Sequence, residues 1–133
     1  MSEHFLTTYV RRLADEMGLG NWKINVTSGT PENPEPFAFA ETTVWGERFQ
    51  GDILLNRDWH PTSKEELREI LVHELLHLHL TDLDHAFYAT ETLLGKPTYA
   101  VAVDRYRTDR EKAVQQIARF WAPHLPLPPK VKE

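Results

Sequence analysis

The residues best suited to chemistry lie together in the stretch LVHELLHLHL, residues 71 to 80, where three histidines and one glutamate interrupt an apolar run. Within it, His73, Glu74 and His77 form the pattern HExxH. Residues four apart share one face of a helix, about 5–6 Å apart at their Cβ atoms, so both imidazoles can hold one metal ion. Glu74 can then take the proton of a water whose pKa the metal lowers. The spacing therefore predicts a hydrolytic zinc site, most often one that cleaves peptide bonds.

Short patterns of this kind also arise by chance, so a polar cluster without a metal is the alternative explanation. The isoleucine and leucines around the motif predict a buried face, where a glutamate and two histidines without partners would cost several kcal/mol. A bound metal would supply those partners, and we favour it for that reason. His79 follows His77 by two positions, about 200° around a helix, and is therefore expected to point away from the site.

A catalytic zinc site needs a third protein ligand, and spacing alone leaves several candidates open. The metzincin continuation of HExxH is absent, because leucines stand where it requires glycine and histidine. We favour Glu111, since helical periodicity places it on a seam with Val114 and Ala118 that should be buried, where a carboxylate needs a partner. Glu111 could instead pair with Arg107, one turn earlier on the same helix. The other candidates for the third ligand are Asp84, His85, Glu91 and His124.

The motif needs a helix to carry it, and the sequence predicts one from Thr62 or Ser63 to about Leu80, since Ser63 and Glu66 have capping-box spacing. Strands and helices are segregated along the chain, which indicates an α+β fold with a small sheet of about three strands packed on the metal-binding helix. The other predicted elements are a helix at 3–17, strands at 21–27, 37–45 and 52–56, a loop at 28–36, and helices at about 84–94 and 97–123.

Within that sheet, strands 37–45 and 52–56 are expected to pair as a hairpin. The second of them, DILLN, is interpreted as an edge strand that could hold an extended substrate through its backbone. Residues 1–123 are expected to form a single domain, and residues 124–133 a proline-rich tail that is extended or loosely attached.

Composition limits the classes of function. The chain has 133 residues, with 15 basic and 20 acidic residues and a formal charge of −5. The size fits one domain, and the acidic balance argues against a nucleic-acid partner, which would favour a basic patch. No apolar run is long enough to span a membrane, and the N-terminal segment lacks the apolar core of a signal peptide. Because there is no cysteine, any metal ligands must be nitrogen or oxygen atoms. We expect a cytoplasmic monomer.

Three segments resemble the gluzincin class of zinc metallopeptidases, and most closely the ImmA/IrrE-type peptidases. They are GDILLN at 51–56, HELLH at 73–77 and EKAVQQIARFWAP at 111–123, and the resemblance covers about residues 37–123. It implies a minimal zincin-like domain that hydrolyses peptide or protein substrates. It also implies one Zn²⁺ per chain, bound by His73, His77 and Glu111, with Glu74 as the general base.

The chain departs from that family in three respects. The segment AVQQIA stands where the family commonly has Ala-Asn and a later Phe-Ala pair, the segment between His77 and Glu111 is longer, and no helix-turn-helix domain is seen. Compact SprT-like zinc proteases are also similar, but they use a third histidine, for which only His85 or His124 would be available.

The remaining roles have several candidates each. An oxyanion donor could come from Tyr99, Tyr106 or His124, and the carboxylates that orient the histidines could be Asp82, Asp84 or Asp104. The alternative function is a zinc-bearing binding or scaffold module without turnover. A third hypothesis is a latent protease whose cleft is covered by the loop at 28–36 or by the tail.

Overall fold

The structure is a computed structural model that describes residues 2–32 and 39–130. Part of the predicted loop 28–36 and the start of the predicted strand 37–45 lie outside the described residues, as does the end of the tail. The helices are α1 (Glu3–Glu16), α2 (Lys64–His79), α3 (Thr81–Tyr88), α4 (Glu91–Leu94) and α5 (Lys96–Trp121). The strands are β1 (Lys23–Gly29), β2 (Ala40–Trp45) and β3 (Gln50–Asn56), and 3-10 turns cover Gly46–Arg48 and Ala122–His124. The predicted α+β class is confirmed.

The sheet is mixed, with the strand order β1-β3-β2. The predicted hairpin is present, because β2 pairs with β3 in antiparallel register from Ala40 opposite Leu55 to Trp45 opposite Gln50. However, β1 pairs with the other side of β3 in parallel. The prediction that DILLN is an edge strand is therefore wrong, since both of its sides already form backbone hydrogen bonds. Among the described strands, β1 and β2 form the two edges of the sheet, with β3 between them.

The core lies between one face of this sheet and helices α1 and α2, with the end of α5 completing it. Alternate residues of β1 and β3 point into the core, as expected for strands with one buried face. The fully buried side chains that fill this layer include Tyr9, Leu13, Ile53, Leu71 and Leu75.

Helix α2 lies close against the sheet, which fixes the position of the HExxH motif. Its first turn is capped by Ser63, whose side-chain oxygen accepts a hydrogen bond from the backbone N–H of Glu66 at 3.1 Å, as predicted. At the other end, Gly51 of β3 allows close contact with Leu78. A Cβ atom at position 51 would lie 2.5 Å from Leu78 Cδ2, so a larger residue would push against the ligand helix.

The segment predicted as one helix at 84–94 consists of α3 and α4, and α3 follows α2 almost directly. Together with the first half of α5 it forms a helical extension in which Thr81 is the one buried residue between 81 and 110. Within the described residues, no helix is both long and apolar enough to cross a bilayer.

The start of the tail is held more firmly than its proline-rich composition predicts. Tyr9 Oη donates a hydrogen bond to the carbonyl of Pro126 at 2.8 Å, and Arg68 Nη1 donates to the carbonyl of Leu125 at 2.9 Å. Pro128 is buried. Residues 125–128 therefore pack against α1 and α2.

Candidate metal centre

Three side chains from two helices converge at one point. His73 and His77 come from α2 and Glu111 comes from α5, and one ligand atom from each lies within 4.8 Å of the others. His73 Nε2 lies 3.1 Å from Glu111 Oε2, and His77 Nε2 lies 3.0 Å from Glu111 Oε1. The structure thus brings together the three residues that the sequence favours as ligands.

Local geometry explains this convergence. The two histidines are one turn apart on α2, and their ring centroids are 5.3 Å apart. Helix α5 packs against α2 through a seam in which Val114 and Ala118 are fully buried. Glu111 continues that seam by one turn, but its side chain is 48% exposed because the seam opens there into a cleft. A carboxylate at this position can face the histidines and solvent at once.

The donor set fits a metal ion. Two imidazole nitrogens and one carboxylate oxygen form a known ligand set of catalytic zinc, and donor atoms around a tetrahedral zinc lie roughly 3.3 Å apart. The observed nitrogen–oxygen separations of 3.0 and 3.1 Å need only a small outward movement to reach that spacing. Within residues 2–32 and 39–130, no further His, Asp or Glu joins this group. The group could therefore hold a metal ion with one coordination position left open.

The electrostatics of this group depend on the proximity of the three side chains. Burial favours a higher pKa for Glu111, but hydrogen bonds to His73 and His77 outweigh it and hold that pKa well below its usual range. Burial likewise opposes protonation of His73, yet the hydrogen bond to Glu111 and the charge of Glu74 raise its pKa above the ordinary value. These contacts favour the carboxylate form of Glu111 and the protonated form of His73, so a bound metal would compete with a proton at His73.

Gln115 orients His73 from the opposite side of the ring. Its Oε1 lies 2.8 Å from His73 Nδ1, and its Nε2 donates to Glu69 Oε2 at 3.3 Å. With Nδ1–H donating to this amide, the Nε2 atom of His73 is directed at Glu111. The sequence did not predict this role for Gln115, because the contact joins two helices that are far apart in the chain.

The carboxylates proposed from the sequence to orient the histidines do not do so in the described part of the chain. Asp82 and Asp104 are exposed. Asp84 pairs with Arg110 instead, at 3.1 Å from its Nη1 atom. The amide of Gln115 takes the place expected for a carboxylate.

Glu74 is buried, with 7% of its surface exposed, and lies beside His77 in the wall of the cleft. Its Oε2 atom accepts a short hydrogen bond from the hydroxyl of Thr42 on the edge strand β2. Strand β2 therefore orients the candidate general base, a contact that the sequence did not predict because the two residues come from separate elements.

The site opens into a cleft of about 580 Å³. Residues 40–44 of β2 form one side, and α3 and α5 form the other, with Glu74, His77 and Glu111 lining it as well. The helical side carries His85, Tyr88, Arg107 and Arg110. An extended chain could thus lie beside an edge strand and next to the histidines at the same time.

Arg110 connects α3 to the ligand group. Its Nη1 atom lies 3.1 Å from Asp84 Oδ1 and donates to Tyr88 Oη at 3.2 Å, and its Nη2 atom is 3.6 Å from Glu111 Oε1. Tyr106 Oη donates to Asp84 Oδ1 at 2.5 Å. Burial, together with this hydrogen bond to Asp84, raises the pKa of Tyr106 to about 12. The pairing of Glu111 with Arg107, which was the alternative to its role as a ligand, is not observed among the described residues, and the cation that contacts Glu111 is Arg110.

The other candidates lie elsewhere. His85 lines the cleft but is outside the ligand group, and Glu91 is exposed on α4. His79 points away from the site, as expected, with Nε2 2.7 Å from the carbonyl oxygen of Met17. Of the three possible oxyanion donors, Tyr99 stacks on Phe87, Tyr106 binds Asp84, and His124 lines a separate groove with Trp121.

Comparison of the chain with models of known protein families, with curated proteins and with solved structures finds no match.

Proposed function

We propose that the protein is a zinc-dependent metallopeptidase, a zincin-like enzyme that hydrolyses peptide bonds with Glu74 as general base. The observation that carries the proposal is the convergence of His73, His77 and Glu111 beside Glu74, in a cleft bordered by an edge strand. The ligand group, the glutamate and the edge strand would each have a separate use in the hydrolysis of an extended peptide. Their combination in one cleft favours peptide hydrolysis over other reactions.

The residues of the site would have different roles in hydrolysis. A zinc ion held by the three ligands would supply Lewis acidity, which lowers the pKa of water and polarises a carbonyl. Glu74 accepts the proton of the attacking water and passes it to the leaving amine. Thr42 fixes one carboxylate oxygen of Glu74 by its hydrogen bond, which leaves the other oxygen to face the water. Gln115 keeps His73 in the orientation that a metal requires.

Substrate alignment is assigned to β2 rather than to β3. An edge strand presents unpaired backbone N–H and C=O groups, to which an extended peptide can add as a further strand. Residues 40–44 of β2 line the cleft beside Glu74 and His77. A peptide bound along β2 would therefore pass next to the ligand group.

The test combines metal content with turnover. Purified protein should contain about one zinc per chain, and both His73→Ala and Glu111→Ala should lower that content. Glu74→Gln should retain the metal and lose hydrolysis of a quenched fluorescent peptide mixture. His79→Ala is the matched control on the same helix and should retain both properties, because His79 faces Met17.

Two results would contradict this proposal. Full zinc retention in Glu111→Ala would remove Glu111 from the ligand set. Undiminished turnover in Glu74→Gln would exclude it as the general base.

The alternative is a zinc-bearing binding or scaffold module without turnover. Such a structural site is normally closed by a fourth protein ligand. In the described part of the chain only His73, His77 and Glu111 form the group, which supports the enzyme. The hypothesis of a latent protease whose cleft is covered by the tail is not supported by the described part of the tail. Pro128 and Pro129 line a different groove, beside Phe5 and His60.

A further inference from the structure

Among the described residues, Arg107 is the cleft-lining arginine that has no carboxylate partner. It lies on α5 one turn before Glu111, and it is exposed. Among residues 2–32 and 39–130, its side chain takes part in no ion pair or hydrogen bond. Its neighbours differ in this respect, because Arg110 contacts Asp84 and Arg105 pairs with Asp109 at 2.8 Å. The N–H groups of its side chain are therefore not occupied by any residue in the described part of the chain, and a ligand in the cleft can bind them.

The guanidinium of Arg107 is nevertheless held in place. Its Cζ atom lies over the ring of Tyr88, 5.7 Å from the ring centroid. Tyr88 is fixed in turn, since its hydroxyl accepts a hydrogen bond from Arg110 and its ring packs edge-on against Phe87 and Tyr106. A guanidinium that stacks on an aromatic ring keeps its N–H edge free, and that edge matches the geometry of a carboxylate.

Charge is distributed unevenly across the cleft. The helical side carries Arg107 together with Arg110, Asp84 and Glu111, which contact one another, whereas the part of the lining that comes from β2 and the segment before it carries Glu41 and Glu32. A negative group on a bound peptide is therefore attracted to Arg107, on the helical side. This asymmetry favours one placement of an acidic substrate over its reverse.

We propose that Arg107, supported by Tyr88, binds a carboxylate of the substrate beside the metal centre. The inference rests on the proposed peptidase function and adds to it the substrate class, which is a peptide that carries an acidic side chain or a free C-terminal carboxylate near the bond that is cleaved. The residues that make this subsite come from α3 and from the first half of α5, within the long segment that separates His77 from Glu111.

The experiment measures binding separately from turnover. Zinc-loaded full-length protein carrying Glu74→Gln is titrated with fluorescein-labelled peptide mixtures, and binding is followed by fluorescence anisotropy. One pair of mixtures differs only in Glu or Gln at a fixed position, with the C-terminus amidated. A second pair contains Gln at that position and differs only in a free or amidated C-terminus.

We expect the acidic member of one pair to bind about tenfold more tightly than its neutral partner, as a charge-assisted contact with arginine provides. The pair that shows the difference identifies the source of the carboxylate. Arg107→Gln should abolish the difference, and higher salt should reduce it because the guanidinium is exposed. Arg105→Gln is the matched control, since Arg105 is on the same helix with its side chain 80% exposed and paired with Asp109, and it should leave the difference unchanged.

Equal binding within both pairs, absence of peptide binding, or a preference that survives Arg107→Gln would each overturn the inference. Turnover by the wild-type protein without an acidic preference would leave the peptidase function standing and remove the subsite. An acidic preference that depends on Arg107, in a wild-type protein that hydrolyses none of the mixtures, would retain the subsite and remove the peptidase function.

Discussion

At the scale of single residues, the site divides into positions that a local pattern can predict and positions that it cannot. His73, Glu74 and His77 follow from helical spacing alone, and Glu111 follows from the apolar seam that contains Val114 and Ala118. The supporting residues have no such local signal. Gln115 and Thr42 act on His73 and Glu74 through contacts between elements, which no spacing within one helix or strand can reveal.

The role of Gln115 gives a prediction at this scale. Gln115→Ala should lower the affinity for zinc by about tenfold, because an orienting hydrogen bond to a ligand histidine typically contributes a factor of 10 to 100. Competition with a chelator of known affinity measures the change. Gln116→Ala is the control on the exposed side of α5 and should have no effect.

The double variant Gln115→Glu, Glu69→Gln should retain the affinity, since a carboxylate oxygen can also accept the hydrogen bond from His73 Nδ1 and the amide introduced at position 69 avoids placing two carboxylates against each other. Unchanged affinity in Gln115→Ala would mean that the position of His73 depends on its packing alone.

At the scale of helices and strands, the limits of the sequence are clearest in the sheet. The segment DILLN is predicted as a strand, and in the observed strand β3 alternate residues are buried, namely Gly51, Ile53 and Leu55. The same alternation is compatible with an edge or a central position in the sheet. It shows which side chains face the core, but it does not show which strands lie on either side. The parallel pairing with β1 depends on contacts between residues far apart in sequence, so the central position of β3 could not be predicted.

The packing of α3 on α5 gives a prediction at this scale. Tyr106 has a pKa raised from 10.0 to about 12, by burial first and then by its hydrogen bond to Asp84. The folded state thus favours the neutral phenol more than the unfolded state does. This contribution to the free energy of unfolding is fully present below the unfolded pKa of 10.0 and is lost as the pH rises through about 12.

Chemical denaturation across that alkaline range should therefore show a steeper loss of stability in the wild-type protein than in Tyr106→Phe. Tyr99→Phe serves as the control, because Tyr99 contributes ring stacking on Phe87. Identical pH profiles for wild type and Tyr106→Phe would show that this hydroxyl titrates equally in both states.

At the scale of the whole molecule, the structure consists of two parts. The sheet, α1, α2 and the end of α5 share the core, whereas residues 81–110 form a thin helical extension with little buried surface. The α+β class, the three strands and the order of helices were predictable, since each depends on periodicity within a segment. The attachment of the tail was not, because it depends on the hydroxyl of Tyr9 and on Arg68, which reach backbone carbonyls of residues 125 and 126. Composition alone describes residues 124–133 as a loose end, whereas these two side chains bind the first part of it to α1 and α2.

The thin extension has a consequence for local opening of the chain. Between residues 81 and 110 Thr81 is the one buried residue, so this segment has little apolar packing of its own and should exchange its amide hydrogens readily. His77 precedes it and Glu111 follows it directly. A zinc ion bound by these ligands would join the two ends of the segment and resist its separation from α2.

Hydrogen–deuterium exchange measured by mass spectrometry should then show slower exchange across residues 81–110 when zinc is added, with no change in α1. Glu111→Ala should remove the effect, because the segment is then held at one end only. Equal protection with and without zinc would mean that the extension opens independently of the metal centre. If the expected pattern is found, binding of the metal also makes the cleft wall that carries Arg107 more rigid.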